Sequence, residues 1–310
     1  MLKNICFIGL LAIGLIFSTA CDKIENAYPE PETELDVTLY PGNWSDYMAN
    51  EYPNFGDNSS QPQNVLLEEY TGHTCNACPN AAIVAFGIQE NNPNRVFVVS
   101  IHAGPGGMTF FQQYNPNASS FYTNHTNNDG LTYGEHFQNG FNFLGNPSGT
   151  VNRQTVDNRM FDFSGTWSTR TANLLANTDI KIRMQSAFNY FETTNGGYLH
   201  VELEKTANVS DPINTVVYVV QDTLVDWQVM PNNSYNPDYV HKNRHLGSID
   251  NRPFGRVTFN SSSTVGEKVI LDYAYKLPDD IAPDNLHFIM YAYNTETYEI
   301  YQVIKQRITL

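Results

Sequence analysis

The stretch Val65-Leu66-Leu67-Glu68-Glu69-Tyr70-Thr71-Gly72-His73-Thr74-Cys75-Asn76-Ala77-Cys78-Pro79 decides how the chain is read. Its first six residues are mostly apolar and end in Thr71-Gly72, the pattern of a short strand. Pro79 suits the first turn of a helix, and Ala81, Ala82, Val84, Ala85 and Ile88 give that helix an apolar face until Asn91-Asn92-Pro93-Asn94 stops it. A second strand runs from Val96 to His102. Strand, Cys-x-x-Cys, helix, strand is a right-handed crossover with the cysteines at the helix N-terminus, where the macrodipole favours a thiolate.

This unit resembles the thioredoxin fold. Gly145-Asn146-Pro147-Ser148-Gly149-Thr150 is similar to the loop that faces the cysteines in that fold, which implies a cis Asn146–Pro147 bond. Two features depart from the pattern. Pro79 stands where thioredoxins carry a basic residue, so the helix is expected to start at Pro79 with Cys78 as its cap, leaving Cys75 less favoured by the dipole. The stretch 104–140 is longer than such a unit needs, and its Gly, Asn and aromatic residues read as an insertion beside the cysteines, a lid or a long loop.

The N-terminus has one charge, Lys3, then the apolar run Ile5 to Phe17 and Ser18-Thr19-Ala20 before Cys21, the shape of a secretory signal over 1–20. Ser18-Thr19-Ala20-Cys21 resembles a bacterial lipobox, with Ser18 where Leu is commonest, and implies lipidation at Cys21. The polar, Pro-rich segment 21–63 reads as a flexible tether. Of four cysteines, Cys6 leaves with the signal and Cys21 takes the lipid. Only Cys75 and Cys78 remain, and export makes a disulfide between them the expected state.

A helix from about Trp167 to Asn177 closes the unit 64–178. Beyond Asp179 the apolar period changes to two, in Ile180, Ile182 and Met184, in Leu199, Val201 and Leu203, and in runs near 214–220, 256–259, 268–275, 287–293 and 298–304. Short strands without helical patterns between them predict an antiparallel β-sandwich over 179–310, folding autonomously, with His241, Arg244 and His245 in a polar loop. The fold class expected is thus an α/β thioredoxin-like domain with a long insertion, followed by an all-β sandwich. A net charge of −15 repels phosphate backbones and excludes nucleic acid as a partner.

The lipobox, Glu69 to Pro79, Ser100-Ile101-His102-Ala103-Gly104, Pro147, and Tyr239-Val240-His241 with Arg244 together resemble the Omp-twenty-eight-related outer-membrane lipoproteins, over nearly all of the mature chain. The resemblance implies a lipid-anchored protein of the outer membrane, on its periplasmic or cell-surface face, and brings no established activity. Three readings stay open. In the first, Cys75 attacks a disulfide of an envelope protein, Cys78 resolves the mixed disulfide and the Pro147 loop binds substrate backbone, with Cys75 the exposed and reactive thiol and Cys78 buried. In the second, the bridge is static and the protein is a binding or structural lipoprotein. In the third, Cys75, Cys78 and His102, with His73 nearby, take a soft metal. No cofactor and no metal ligand is assigned from the sequence, and His73 and His102 are expected as neighbours that tune the cysteines. The acidic residues Asp272, Asp279, Asp280 and Asp284 lack calcium-loop spacing and read as a solvated turn.

Overall fold

The computed structural model describes residues 35–309; the signal, Cys21 and the start of the tether lie outside them. Helix α1 (Trp44–Asn50) precedes β1 (Val65–Tyr70), α2 (Cys78–Asn91) and β2 (Val96–Ile101). The strands pair in parallel from Val65 opposite Val96 to Tyr70 opposite Ile101. The helix begins at Cys78, one residue earlier than expected, because Pro79 is tolerated anywhere in a first turn, where N–H groups lack helical partners. Ala81, Ala85 and Ile88 pack on Val65, Leu67, Val96 and Val98, and Trp167 and Leu174 join the same cluster. Next come α3 (Asn128–Phe137), β3 (Ser148–Val151), antiparallel to β1, and α4 (Trp167–Leu175). The Asn146–Pro147 peptide is cis.

The remaining strands are β4 (Ile182–Phe191), β5 (Gly196–Lys205), β6 (Ile213–Val229), β7 (Tyr235–Ser248), β8 (Arg256–Phe259), β9 (Lys268–Lys276), β10 (Leu286–Asn294) and β11 (Ile300–Arg307). Three of them form a small sheet in the order β4-β5-β9. The others continue the sheet of the Cys-x-x-Cys unit, in the order β11-β10-β6-β7-β2-β1-β3, with β8 on β6. Alternation along β6 sorts two cores. Val217 and Val219 face Met184, Leu199, Val201 and Phe288, whereas Tyr218 and Val220 join Leu66, Tyr70, Val99, Ile101, Tyr133 and Phe137.

Three expectations are corrected. His241, Arg244 and His245, expected in a polar loop, lie in β7, which pairs along β6 and meets β2 in parallel at Ser100 opposite Arg244. Asn236, Lys242, Asn243 and Arg244 give the segment little strand propensity, but pairing with a long neighbour on one side and β2 on the other overrides it. That pairing also joins the units expected at 64–178 and 179–310 through one sheet and one apolar cluster, in place of two separate apolar sets. Third, the tether does not reach Gln63: Leu39 and Tyr47 are buried with Tyr198 of the small sheet, and Trp44 stacks on Tyr47.

The mixed sheet contains a buried ion pair that the sequence reading did not single out. Glu68 of β1 and Arg153, just after β3, are both fully buried, with Arg153 Nε and Nη2 each 2.7 Å from a Glu68 carboxylate oxygen. Tyr218 of β6 donates to Glu68 at 2.8 Å, and Thr150 donates at 2.9 Å. The Arg153 guanidinium also lies 5.1 Å from the ring centroids of Tyr133 and Tyr291. Burial opposes charge on Glu68, but Arg153 and these hydrogen bonds hold its carboxyl below the usual range.

Candidate functional site

The turn between β1 and α2 brings Cys75 and Cys78 together as a disulfide, with Cys75 N–H donating to Gly72 and Cys78 N–H to the Cys75 carbonyl. The expected exposure of Cys75 is not found. Cys75 is 1% exposed and Cys78 2% exposed, because two segments cover them. The first belongs to the 104–140 insertion: Thr74 N–H donates to the Phe111 carbonyl at 3.2 Å and Thr74 Oγ1 to that of Phe110 at 3.0 Å. Gly72 permits this approach, since a Cβ there would sit 2.3 Å from the Phe111 oxygen. The second is the tip of the β6–β7 hairpin. Gln228 Nε2 donates to the Cys75 carbonyl at 3.0 Å, Val229 N–H to that of His73 at 2.9 Å, and Asn76 Nδ2 to Asn233 Oδ1 at 2.8 Å.

The Pro147 loop is tied to the same edge through a residue that sequence reasoning missed. Buried Gln112 donates through Nε2 to the Thr71 carbonyl at 2.7 Å and to Asn146 Oδ1 at 3.2 Å, while Asn146 Nδ2 donates to the Ala103 carbonyl. The insertion is therefore fastened across the cysteine and proline loops. It also contains α3, unexpected because Gly130 and Gly134 weaken helix propensity. The Asn127 side chain caps that helix by accepting from Gly130 N–H, and Gly134 packs closely on Gly104.

Beneath the disulfide lies a cavity of about 20 Å³, bordered by Cys78, Glu69, Ser100, His102, Gln228 and His241. Glu69 is buried beside Cys78 with one carboxylate oxygen unpartnered and the other 3.4 Å from Ser100 Oγ. Burial pushes its carboxyl up to about 8, against the weak Ser100 hydrogen bond.

His73 and His102, expected near the cysteines, meet two further histidines here. His125 comes from the insertion and His241 from β7; ring centroids are 4.8 Å apart for His102–His125 and His125–His241, and 4.9 Å for His73–His125. All four are buried. Burial, then neighbouring imidazoles, hold His73 at about 4, His241 at about 3 and His102 well below its ordinary value, so all three rings are neutral at pH 7. His125 Nε2 lies 3.1 Å from Asp226 Oδ2, and His241 Nε2 lies 3.3 Å from the Trp227 carbonyl. No motif surrounds His125 in the sequence, and His241 came forward as a loop residue and as part of the family resemblance, not as a neighbour of His102; parallel pairing of β7 with β2 is what sets His241 beside His102.

Other candidates are dispersed. Arg244 holds Gln221 through Nε and Nη2, and His245 is buried against Tyr218. Asp272 pairs with His200 Nδ1 at 2.6 Å, whereas Asp279 and Asp280 line an open cleft with Tyr190, Glu192 and Asn195.

The family model described as outer membrane protein Omp28 matches residues 134–310. No curated protein matches the chain. Among solved structures, HBP35 of Porphyromonas gingivalis is 14% identical, with 80% of this chain and 76% of that one covered at a TM-score of 0.58, a likeness of fold. A domain of the outer membrane lipoprotein Omp28 from Porphyromonas gingivalis is 17% identical, covering 42% of this chain and 96% of its own at a TM-score of 0.28.

Proposed function

The chain belongs to the outer membrane protein Omp28 family, and on that footing we propose that it is an envelope lipoprotein, anchored by lipid on Cys21, whose thioredoxin-like frame keeps Cys75–Cys78 as a closed bridge. Burial of both cysteines carries this reading: attack on a disulfide needs a thiolate in line with the sulfur–sulfur bond, and the Phe110–Gln112 turn and the hairpin tip occupy the approach. The bridge then serves to fix the β1–α2 turn on which the hairpin rests. The test is alkylation of the folded protein in dithiothreitol, followed by mass mapping. The expected result is negligible labelling of Cys75 and Cys78 until the protein unfolds; rapid labelling of Cys75 in the folded state overturns the reading.

A second reading, gated thiol–disulfide exchange, is favoured by Glu69. With the hairpin displaced, a substrate thiolate attacks Cys75 Sγ, the bond electrons pass to Cys78 Sγ, and that thiolate takes a proton from the Glu69 carboxyl across the shared cavity. A second substrate thiolate then attacks the mixed disulfide and releases Cys75. The substrate dithiol is oxidised to a disulfide and the protein's pair is reduced. Cys78→Ser separates the readings: its free Cys75 thiolate can attack envelope disulfides, the reverse of the release step, and mixed disulfides trapped in this way support exchange, whereas their absence supports the closed bridge.

A further inference from the structure

We propose that His102, His125 and His241 form a binding site for one divalent transition-metal ion of the Zn²⁺ class, with the Cys75–Cys78 disulfide intact. One donor nitrogen from each of the three lies within 4.8 Å of those of the other two, all in a buried setting. Tetrahedral coordination at about 2.0–2.1 Å puts donors about 3.4 Å apart, a spacing that small ring rotations reach from here.

The hydrogen bonding is incomplete in a way an ion completes. Both ring nitrogens of His102 and Nδ1 of His125 are buried without a partner. Unpartnered buried polar atoms are few in folded proteins and each calls for an explanation. Here they converge, and imidazoles crowded together supply each other with no good donor–acceptor pairing.

His125 is also oriented as metal-binding histidines are. Its Nε2–H donates to Asp226 Oδ2, which leaves the Nδ1 lone pair facing the cluster, and Asp226 is itself fixed by the Trp227 N–H at 2.7 Å. His241 directs Nε2 to the Trp227 carbonyl, leaving Nδ1 as its donor. Three imidazoles suit Zn²⁺, Cu²⁺ or Ni²⁺ and not Mg²⁺ or Ca²⁺, which take oxygen ligands. For the fourth position the cavity of about 20 Å³ beside His102 and His241 has room for one water. The site differs from the set expected from sequence, because the disulfide removes both thiolates and His125 and His241 replace them.

The test uses the full mature chain in detergent, oxidised and stripped with EDTA, then titrated with Zn²⁺ against a chromophoric chelator, and with Co²⁺ for its visible spectrum. One equivalent is expected to bind, with Co²⁺ giving a tetrahedral d–d band and no sulfur charge-transfer band. His102→Gln and His125→Gln should each weaken binding at least 100-fold, and Asp226→Asn about 10- to 100-fold. His136→Gln, outside the cluster, should leave it unchanged. Circular dichroism identifies variants that fail to fold. If both histidine variants do, the Asp226→Asn titration and a Zn²⁺-dependent rise in wild-type Tm decide. Lack of stoichiometric binding by the folded wild type, binding unaffected by the substitutions, or a sulfur charge-transfer band overturns the proposal.

Discussion

Replacing Arg153 with methionine tests the joint between the two parts of the mixed sheet. The substitution keeps the volume of the side-chain stem but leaves the Glu68 carboxylate, fully buried, with only Thr150 and Tyr218 as partners. Two charge-assisted bonds of 2.7 Å and the guanidinium bonds to Tyr218 and Tyr291 are lost together. Removing one member of a buried pair costs about 3–5 kcal/mol, which lowers Tm by roughly 6–20 °C in a chain of this size. The pH dependence separates an orphaned charge from a simple cavity. In the wild type, Arg153 holds the folded Glu68 value below its ordinary 4.5, so the pair's contribution is present above that pH and fades as pH falls through the lower folded value. In Arg153→Met burial raises the folded value, so Glu68 contributes stability below 4.5 and loses it as pH rises. The deficit should therefore be widest at pH 7 and narrow toward pH 4, measured by urea unfolding at several pH values. The double variant Glu68→Gln/Arg153→Met should be more stable than Arg153→Met alone at pH 7. A deficit below about 1 kcal/mol, or one equal at pH 4 and pH 7, refutes the reasoning.

Glu69 has the opposite sign: its folded value of about 8 lies above the ordinary 4.5, so its contribution is complete below 4.5 and lost as pH rises through 8. Glu69→Gln should flatten the stability profile across that window and be the more stable protein at pH 9, by a few kcal/mol at about 1.4 kcal/mol per pH unit; parallel profiles would contradict this. Cys21→Ala should shift the protein from the detergent-requiring fraction to the soluble one, and unchanged fractionation would count against the lipid anchor. A fragment of residues 179–310 should unfold without a cooperative transition, because it exposes Tyr218, Val220, Ile289, Tyr291 and Val303 and leaves β7 without β2; a sharp thermal transition would show that the strands suffice alone.

What could be read from the sequence is what local pattern controls. β1, α2 and β2 lie within a residue or two of the expected ranges because apolar period, Pro79 and the Asn-rich turn all agree. The disulfide followed from the cysteine count once the signal, the lipobox resemblance at Cys21 and export were taken into account. β7 was illegible because its strand state is imposed by β6 and β2, and no alternation of apolar and polar residue types marks it in the sequence. α3 was hidden by its glycines: Gly134 packs closely on the Gly104 turn, and Gly130 lies against Ile101. Only part of the histidine cluster was visible: His73 and His102 flank the cysteine unit in sequence, whereas His125 and His241 arrive through an insertion and a distant hairpin.

The same hairpin explains why the cysteines are covered and why histidines gather behind them. At the hairpin end of β6, across a bulge in its pairing with β7, consecutive residues face different duties: Asp226 orients His125, the Trp227 carbonyl accepts from His241, Gln228 holds the Cys75 carbonyl, and Val229 N–H holds that of His73. Lifting the tip far enough to expose the sulfurs must break contacts that orient two of the three clustered imidazoles. Order in the cluster and closure over the disulfide therefore favour one another. A ligand that binds the ordered histidines stabilises the closed bridge by its binding free energy, since only the closed form presents the complete donor set.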